Sequence, residues 1–290
     1  MAFRQRIPNY KNKNRAADFE YLWEIAYKTA VEMDGKMNFK IAVHTDIGIK
    51  KRTNQDSVLV RVAQTDFGNV LLCAICDGMG GLAKGELASA PMVRMLSKWF
   101  EEEFPELLYQ GIREESLKKS WSDLIERANQ KISSYGLVRH INLGTTMAVL
   151  LITDQNYFIV NVGDSRIYQL KKGFGQLTKD QTVVQREVDL GKITEKDAGK
   201  DPRRNILLQC IGASQTINPQ YVTGIVESGN LFLLCSDGFR HVVTPEELQQ
   251  YLKAEFKNEH EMKNSLLFLT ELNKSRYETD NISAALIRAE

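Results

Sequence analysis

The 290-residue chain has no apolar stretch approaching the roughly 20 residues that a membrane-spanning helix needs, its longest apolar runs being about as long as one strand. It also lacks an excess of one charge. Its 38 Lys and Arg against 37 Asp and Glu call for neither nucleic acid nor an anionic membrane as a partner. Histidine is scarce, and His44, His140, His241 and His260 are scattered without ligand spacing, so no His-rich metal centre is expected. Of the four cysteines, Cys73 and Cys76 form a Cys-x-x-Cys. Residues three apart on a strand point to opposite faces, so this pair is poorly placed to share zinc or close a disulfide. All four read as buried thiols in a reducing compartment, which makes the cytoplasm the expected location. No low-complexity linker divides the chain after residue 38. Residues 38–290 therefore read as one domain, preceded by an extension over 1–37.

What the chain does have is one pattern written three times. Val70 to Cys76 is an unbroken apolar run, the mark of a strand buried on both faces, and it stops on Asp77-Gly78-Met79-Gly80-Gly81. Leu231 to Asp237-Gly238 repeats the arrangement, and Tyr157 to Gly163-Asp164 varies it. Any one Asp-Gly alone reads as an ordinary turn. Three acids delivered to strand ends repel one another, so their convergence makes sense chiefly with divalent cations among them.

The remaining pattern fills in the domain. Arg4, Arg6, Lys11, Lys13 and Arg15 make a basic tail with no apolar segment of the signal-peptide type after it, and Phe19, Leu22, Trp23, Ala26, Ala30 and Met33 recur at helical spacing. Strands are predicted over 39–44, 57–62, 70–76, 146–152, 156–163, 165–170, 219–227, 230–236 and 282–288. Helices are predicted over 82–104 with an irregularity at Pro91, then over 114–135, 182–190, 244–256 and 260–274. Thr244-Pro245-Glu246-Glu247 has the form of a capping box. Residues 191–205 are polar and charged, as in an exposed flap.

Asp56, Asp77, Asp164, Asp237 and Asp280, with the carbonyl of Gly78, are hard oxygen donors suited to Mg²⁺ or Mn²⁺. Two such ions can turn a bridging water into hydroxide and hold a phosphate for in-line attack. A neighbouring arginine would grip the phosphate oxygens in a fork, a part that Arg52 fits better than Lys50 or Lys51. Other phosphate chemistries fail on the letters. A cysteine phosphatase needs arginine six residues after its cysteine, where this chain has Met79, Leu82, Thr216 and His241. A phospho-aspartate enzyme would want an acid at Met79, and there is no Gly-x-x-x-x-Gly-Lys-Ser/Thr loop.

Thr45-Asp46-x-Gly48-x-x-x-Arg52-x-Asn54-Gln55-Asp56, Asp77-Gly78-Met79-Gly80-Gly81, Gly144-Thr145-Thr146, Val162-Gly163-Asp164-Ser165-Arg166, Cys235-Ser236-Asp237-Gly238 and Asp280-Asn281 follow one another in order. In this the chain resembles the metal-dependent serine/threonine protein phosphatases of the type 2C class, especially bacterial members, over about residues 38–290. The resemblance implies an α+β fold, a four-layer α-β-β-α sandwich of two antiparallel sheets flanked by helices. It implies that Asp77, Asp237 and Asp280 hold a first metal, and that Asp77, the Gly78 carbonyl and, through water, Asp56 hold a second. Asp164 with Asp237 would hold a third, weaker ion, and Arg52 would clamp the phosphoryl group. The implied reaction is hydrolysis of phosphoserine and phosphothreonine in proteins by metal-activated water in line, without a covalent intermediate. The implied partners are phosphorylated proteins, in opposition to a serine/threonine kinase.

The chain departs from the family at Met79, which stands where many eukaryotic relatives carry a histidine, at Gln55 in place of a glutamate ligand, and at Gln181 in place of the usual histidine. A catalytically silent phosphopeptide-binding scaffold and a hydrolase of small phosphoesters are the competing readings. The scaffold would ordinarily have lost one of the acids, and this chain retains them all.

Overall fold

Strands β1 (Phe39–Asp46) and β2 (Asp56–Thr65) lead into the strand that sets the layers, β3 (Gly68–Gly80). The computed structural model describes residues 37–80, 84–170, 173–253 and 255–290. Successive side chains of a strand point to opposite faces. On β3, Leu71, Cys73 and Ile75 enter a core between two sheets, and Leu72, Ala74 and Cys76 enter a second core beneath helices. Both faces are buried, so the run is apolar throughout, and Cys73 and Cys76 lie on opposite sides as their spacing requires.

After β3 come helices α1 (Glu86–Glu102), α2 (Phe104–Tyr109) and α3 (Glu114–Arg139), then strands β4 (Leu143–Thr145), β5 (Met147–Ile152), β6 (Asn156–Val162), β7 (Arg166–Leu170) and β8 (Phe174–Gln176). Helices α4 (Val183–Asp189) and α5 (Glu195–Ala198), strands β9 (Gln220–Ile225) and β10 (Leu231–Cys235), helices α6 (Asp237–Arg240), α7 (Pro245–Tyr251) and α8 (Glu259–Ser275), and strand β11 (Ile282–Ala289) complete the order. One sheet runs β2-β3-β5-β6-β9 with β4 beside the end of β3, and the other runs β1-β11-β10-β7-β8. All neighbours are antiparallel.

Leu96 and Trp99 of α1 and Trp121 and Ile125 of α3 cover the first sheet, and Leu248 of α7 with Met262, Leu266 and Leu269 of α8 cover the second. Between the sheets lie Leu150, Ile159, Phe232, Leu234 and Ile287. This is the expected α-β-β-α sandwich, with three apolar layers that lock the two sheets face to face.

The differences from the sequence reading have local causes. β3 passes beyond Cys76 through Asp77 to Gly80 because Gly78, Met79 and Gly80 pair with Thr145, Gly144 and Leu143 of β4, a backbone contact that no apolar pattern announces. Helix α1 begins at Glu86 rather than Leu82 and continues through Pro91. With the Gln55 amide turned so that its oxygen faces them, the N–H groups of Lys84 and Gly85 donate to it at 2.9 Å each, just ahead of this start. α5 stands within the stretch expected to be an exposed flap, capped by Thr194. The capping box is present, with Glu247 N–H donating to Thr244 Oγ1 at 3.3 Å and Thr244 N–H to Glu247 Oε2 at 2.9 Å. Cys210 is half-buried rather than buried. The basic tail and the helix read over 16–33 lie outside the described residues, as does Gly81.

Candidate metal and phosphate site

Antiparallel pairing brings alternate strand ends to one edge of the sandwich. There β2 begins with Asp56 directly opposite Asp77. Residues directly opposite share a face, and since Asp77 continues the series Leu71, Cys73, Ile75, both carboxylates point into the space between the sheets. From the other sheet, Asp237 opens α6 just after β10, Asp280 stands two residues before β11, and Asp164 occupies the turn between β6 and β7. The five acids named from the sequence meet at this edge: Asp77 feels the charges of Asp56, Asp237, Asp280 and Asp164.

The backbone around them is fixed by close contacts. Asp77 N–H donates to Thr146 Oγ1 at 2.9 Å, and Asp77 O accepts from Thr146 N–H at 2.9 Å. Asn281 pins the 47–55 loop: its Oδ1 accepts from Gln55 N–H at 2.9 Å, and its Nδ2 donates to Ile47 O at 2.9 Å and Thr53 O at 3.2 Å. Gly48, at φ +76°, turns this loop so tightly that a Cβ there would lie 2.2 Å from Asp280 O. Gly78 is equally confined, with Gly85 O 2.3 Å from where its Cβ would be.

Burial and mutual repulsion leave the acids short of compensation. Burial, then the charges of Asp237 and Asp280, raise Asp56 to about 7 against a partial offset from the Ser283 and Ser236 hydroxyls. Among the described residues no bond of ordinary geometry reaches either Asp56 oxygen, and Asp237 Oδ1 is likewise buried without a partner. Burial and the Asp237 charge raise Asp164 to about 7 although Arg240 opposes them, and burial with four acidic neighbours lifts Asp77 well above the carboxylate range.

The cations facing these acids are ones that the sequence reading passed over. Lys51 Nζ lies 2.8 Å from Asp280 Oδ1. Burial alone would lower its pKa, but the bond to Asp280 and the charges of Asp280, Asp77 and Asp237 hold it above the usual lysine value. Arg52, assigned the clamp from sequence, is exposed and has no ion-pair partner among the described residues. The register of the loop after Gly48 turns Lys51 inward. Arg52 beside it stays exposed, with its guanidinium unclaimed by any described residue.

Arg240 and His241 arrive on the single turn of α6, three and four residues after Asp237, and so share its face. Arg240 Nη2 donates to Asp164 O at 2.9 Å and stands 3.3 Å from Asp180 Oδ2, whose carboxylate also takes a fork from Arg166 at 2.7 Å on each oxygen. His241 Nε2 is 3.3 Å from Asp237 Oδ2, and Nδ1 is 3.4 Å from Glu278 Oε2. Burial would depress this imidazole, yet the contacts with Glu278 and Asp237 keep its pKa above the usual value. The offset from Asp237 was the available signal for both cations, hidden while histidines were searched for spacing to one another. Gln55 caps α1 with its side chain, and Gln181 Oε1 accepts from Gly163 N–H at 2.7 Å behind Asp164. A cavity of about 290 Å³ lined by Lys179, Asp180, Gln181, Arg186 and Gln220, among others, shares Asp180 with this network and none of the five acids.

Among the described residues no three His, Cys, Asp or Glu side chains close on one point as a ready cage for a single ion. The internal cations account for part of this: Asp280 is held by Lys51, Asp237 by His241 and Asp164 by Arg240. The donor set nevertheless fits hard divalent cations. It is all oxygen, it leaves both Asp56 oxygens and Asp237 Oδ1 unclaimed, and such ions keep several waters and need only one or two carboxylates each.

Two antiparallel sheets packed face to face between helices, with five acids gathered at one edge, define the fold class. The family model described as Protein phosphatase 2C matches residues 49–274. The chain belongs to the protein phosphatase 2C family. It is 31% identical over 219 residues to protein phosphatase PhpP of Streptococcus pneumoniae, an alignment covering 74% of this chain and 85% of that protein. It superposes on a serine/threonine phosphatase of S. agalactiae with a TM-score of 0.75 at 28% identity, covering 87% of this chain and all of that one. With the catalytic domain of the serine/threonine protein phosphatase PstP in complex with two manganese ions, the TM-score is 0.71 at 26% identity, covering 88% of this chain and 99% of that one.

Proposed function

We propose that the chain hydrolyses phosphoserine and phosphothreonine in proteins, with water attacking phosphorus in line and no covalent intermediate, and that it does so with Mn²⁺ or Mg²⁺. The observation that carries this reading is Asp56 facing Asp77 across the β2–β3 ladder, with both Asp56 oxygens buried and unbonded where Asp237 and Asp280 come in from the other sheet. Such an arrangement is costly without positive charge between the acids.

In this reading Asp56, Asp77, Asp237, Asp280 and the Gly78 carbonyl hold two ions, and Asp164 with Asp237 a third. When bound, the ions supply an activated water and charge to neutralise the phosphoryl oxygens. The protein's own groups do the rest. Lys51 presents its ammonium to a phosphate oxygen from beside Asp280, as a point charge and not as a fork. Cys76 and Cys235, the cysteines on the strands that deliver Asp77 and Asp237, are buried, and burial raises both thiols, Cys235 to about 12, so neither supplies a thiolate to take the phosphoryl group. Met79 has no ionisable proton to give the departing seryl or threonyl oxygen, a part that water held at the metals would take.

Residues 38–290 form the phosphatase domain in this proposal, with 1–37 as an extension outside it. The partners are phosphorylated proteins made by an opposing serine/threonine kinase, and the setting is the cytoplasm. No helix among the described residues is long and apolar enough to cross a membrane.

The test is phosphate release from a phosphothreonine peptide and from p-nitrophenyl phosphate, with Mn²⁺, with Mg²⁺ and with chelator. Metal-stimulated turnover of the peptide is expected. Binding of the peptide without turnover would favour a scaffold, and turnover of the small ester alone would place the substrate outside proteins.

A further inference from the structure

Glu278 is a buried acid that the proposed chemistry does not use, and it grips two parts of the site at once. Its Oε1 accepts from the N–H groups of Thr279 at 2.7 Å and Asp280 at 2.9 Å. Its Oε2 lies 3.4 Å from His241 Nδ1, and the far nitrogen of that ring lies 3.3 Å from Asp237 Oδ2. The side chains of Glu278 and His241 are each 7% exposed.

We propose that the Glu278–His241 pair is a positioning device that joins the Asp280 backbone to the Asp237 carboxylate, so that Asp237 Oδ1 is the oxygen presented to a divalent cation. The proposal rests on the metal-dependent reading above and assigns positioning residues within it.

The fold delivers this pair deliberately. α8 ends at Ser275, and Tyr277, at φ +62° and largely exposed, reverses the chain so that Glu278 turns inward, its N–H donating to Asn273 O at 3.1 Å. Asn273 also holds α6 through Phe239 O at 2.9 Å. Gly238 leaves no slack between α6 and the 280–281 segment, since a Cβ there would lie 2.2 Å from Asn281 O. His241 is therefore clamped between two carboxylates on a turn that cannot slide. Its contact occupies Asp237 Oδ2 and leaves Oδ1 buried and unbonded. A group that holds a ligand by its second oxygen fixes the direction of the first.

The experiment is calorimetric titration of the metal-stripped full chain with Mn²⁺, each variant first checked for cooperative unfolding. His241→Asn keeps a polar group near Glu278 but loses the reach to Asp237, and Glu278→Ala releases both the ring and the Asp280 turn. Each is expected to weaken Mn²⁺ binding by about 10-fold or more, and the double variant by no more than the worse single one, because the two residues act in series. Glu278→Gln, whose amide oxygen still accepts from both N–H groups while its NH₂ faces Nδ1, is expected to bind within about threefold of wild type. Val243→Ala, in the apolar core beside α6 and away from the acids, should lower Tm without changing affinity. Folded His241→Asn or Glu278→Ala protein that binds Mn²⁺ like wild type would overturn the inference, and so would Val243→Ala weakening Mn²⁺ as much as they do. If Glu278→Ala does not fold, His241→Asn decides. Wild-type protein that binds neither Mn²⁺ nor Mg²⁺ would instead remove the functional proposal itself.

Discussion

At the scale of single residues, the acids and the cations of the site differ in how far sequence betrays them. Asp77, Asp164 and Asp237 each end an apolar run beside a glycine, so the strand that carries each one also predicts where it goes. Lys51, Arg240 and His241 have no such frame, because which of them faces the cleft depends on the turn after Gly48 and on one helical turn after Asp237. Lys51 and Arg52 are adjacent in sequence and differ in surroundings, Lys51 being paired with Asp280 and Arg52 exposed. Lys51→Ala is expected to raise KM for a phosphothreonine peptide by about 10-fold, a loss of about 1.4 kcal/mol of phosphate interaction. Arg52→Ala, which removes a guanidinium that contacts none of the five acids, is expected to change it by less. Steady-state kinetics of the two variants under saturating Mn²⁺ check this, and the reverse ranking would return the phosphate contact to Arg52.

At the scale of elements, the long pieces were legible and the short ones were not. β5, β10 and the 70–76 part of β3 are buried on both faces and read as continuous apolar runs, and α1, α3 and α8 show their apolar stripes. α6 is a single turn with no period to read, and the last residues of β3 are held by β4 through backbone alone. The 47–55 loop was also opaque. Its shape is set by Asn281, far away in sequence, whose side chain makes bonds to Gln55, Ile47 and Thr53. Asn281→Ala leaves these groups to find other partners, and a buried donor left without one costs about 1–3 kcal/mol. The expected outcome is a fall in Tm and faster amide exchange confined to the 47–55 loop and the segment before β11. Unchanged exchange there would mean that the loop is held by something else.

At the scale of the whole molecule, the pairing pattern gathers five carboxylates at one edge of a sandwich whose core between the sheets is an apolar cluster. Without metal this is a pH-dependent liability. Asp56 and Asp164 are raised to about 7 and Asp77 too is raised well above its ordinary value, against about 3.9 in an unfolded chain. The folded protein thus binds more protons than the unfolded one between those values, and the stability these groups contribute at low pH is lost as pH rises through about 7. His241, held above its usual pKa, acts in the same direction. Asp180 and Glu278, held below theirs, contribute stability lost only as pH falls further into the acid range, and His44, pushed down mainly by burial, opposes the trend within the window.

Thermal unfolding of the full chain at about pH 5.5 and about pH 7.5, in chelator and in saturating Mn²⁺, tests most directly whether these acids are assembled to hold divalent cations. The account predicts a lower Tm at the higher pH in chelator, and a rise with Mn²⁺ of about 5 °C or more that is larger at the higher pH. A Tm that is independent of pH in chelator and indifferent to Mn²⁺ at both pH values would contradict it.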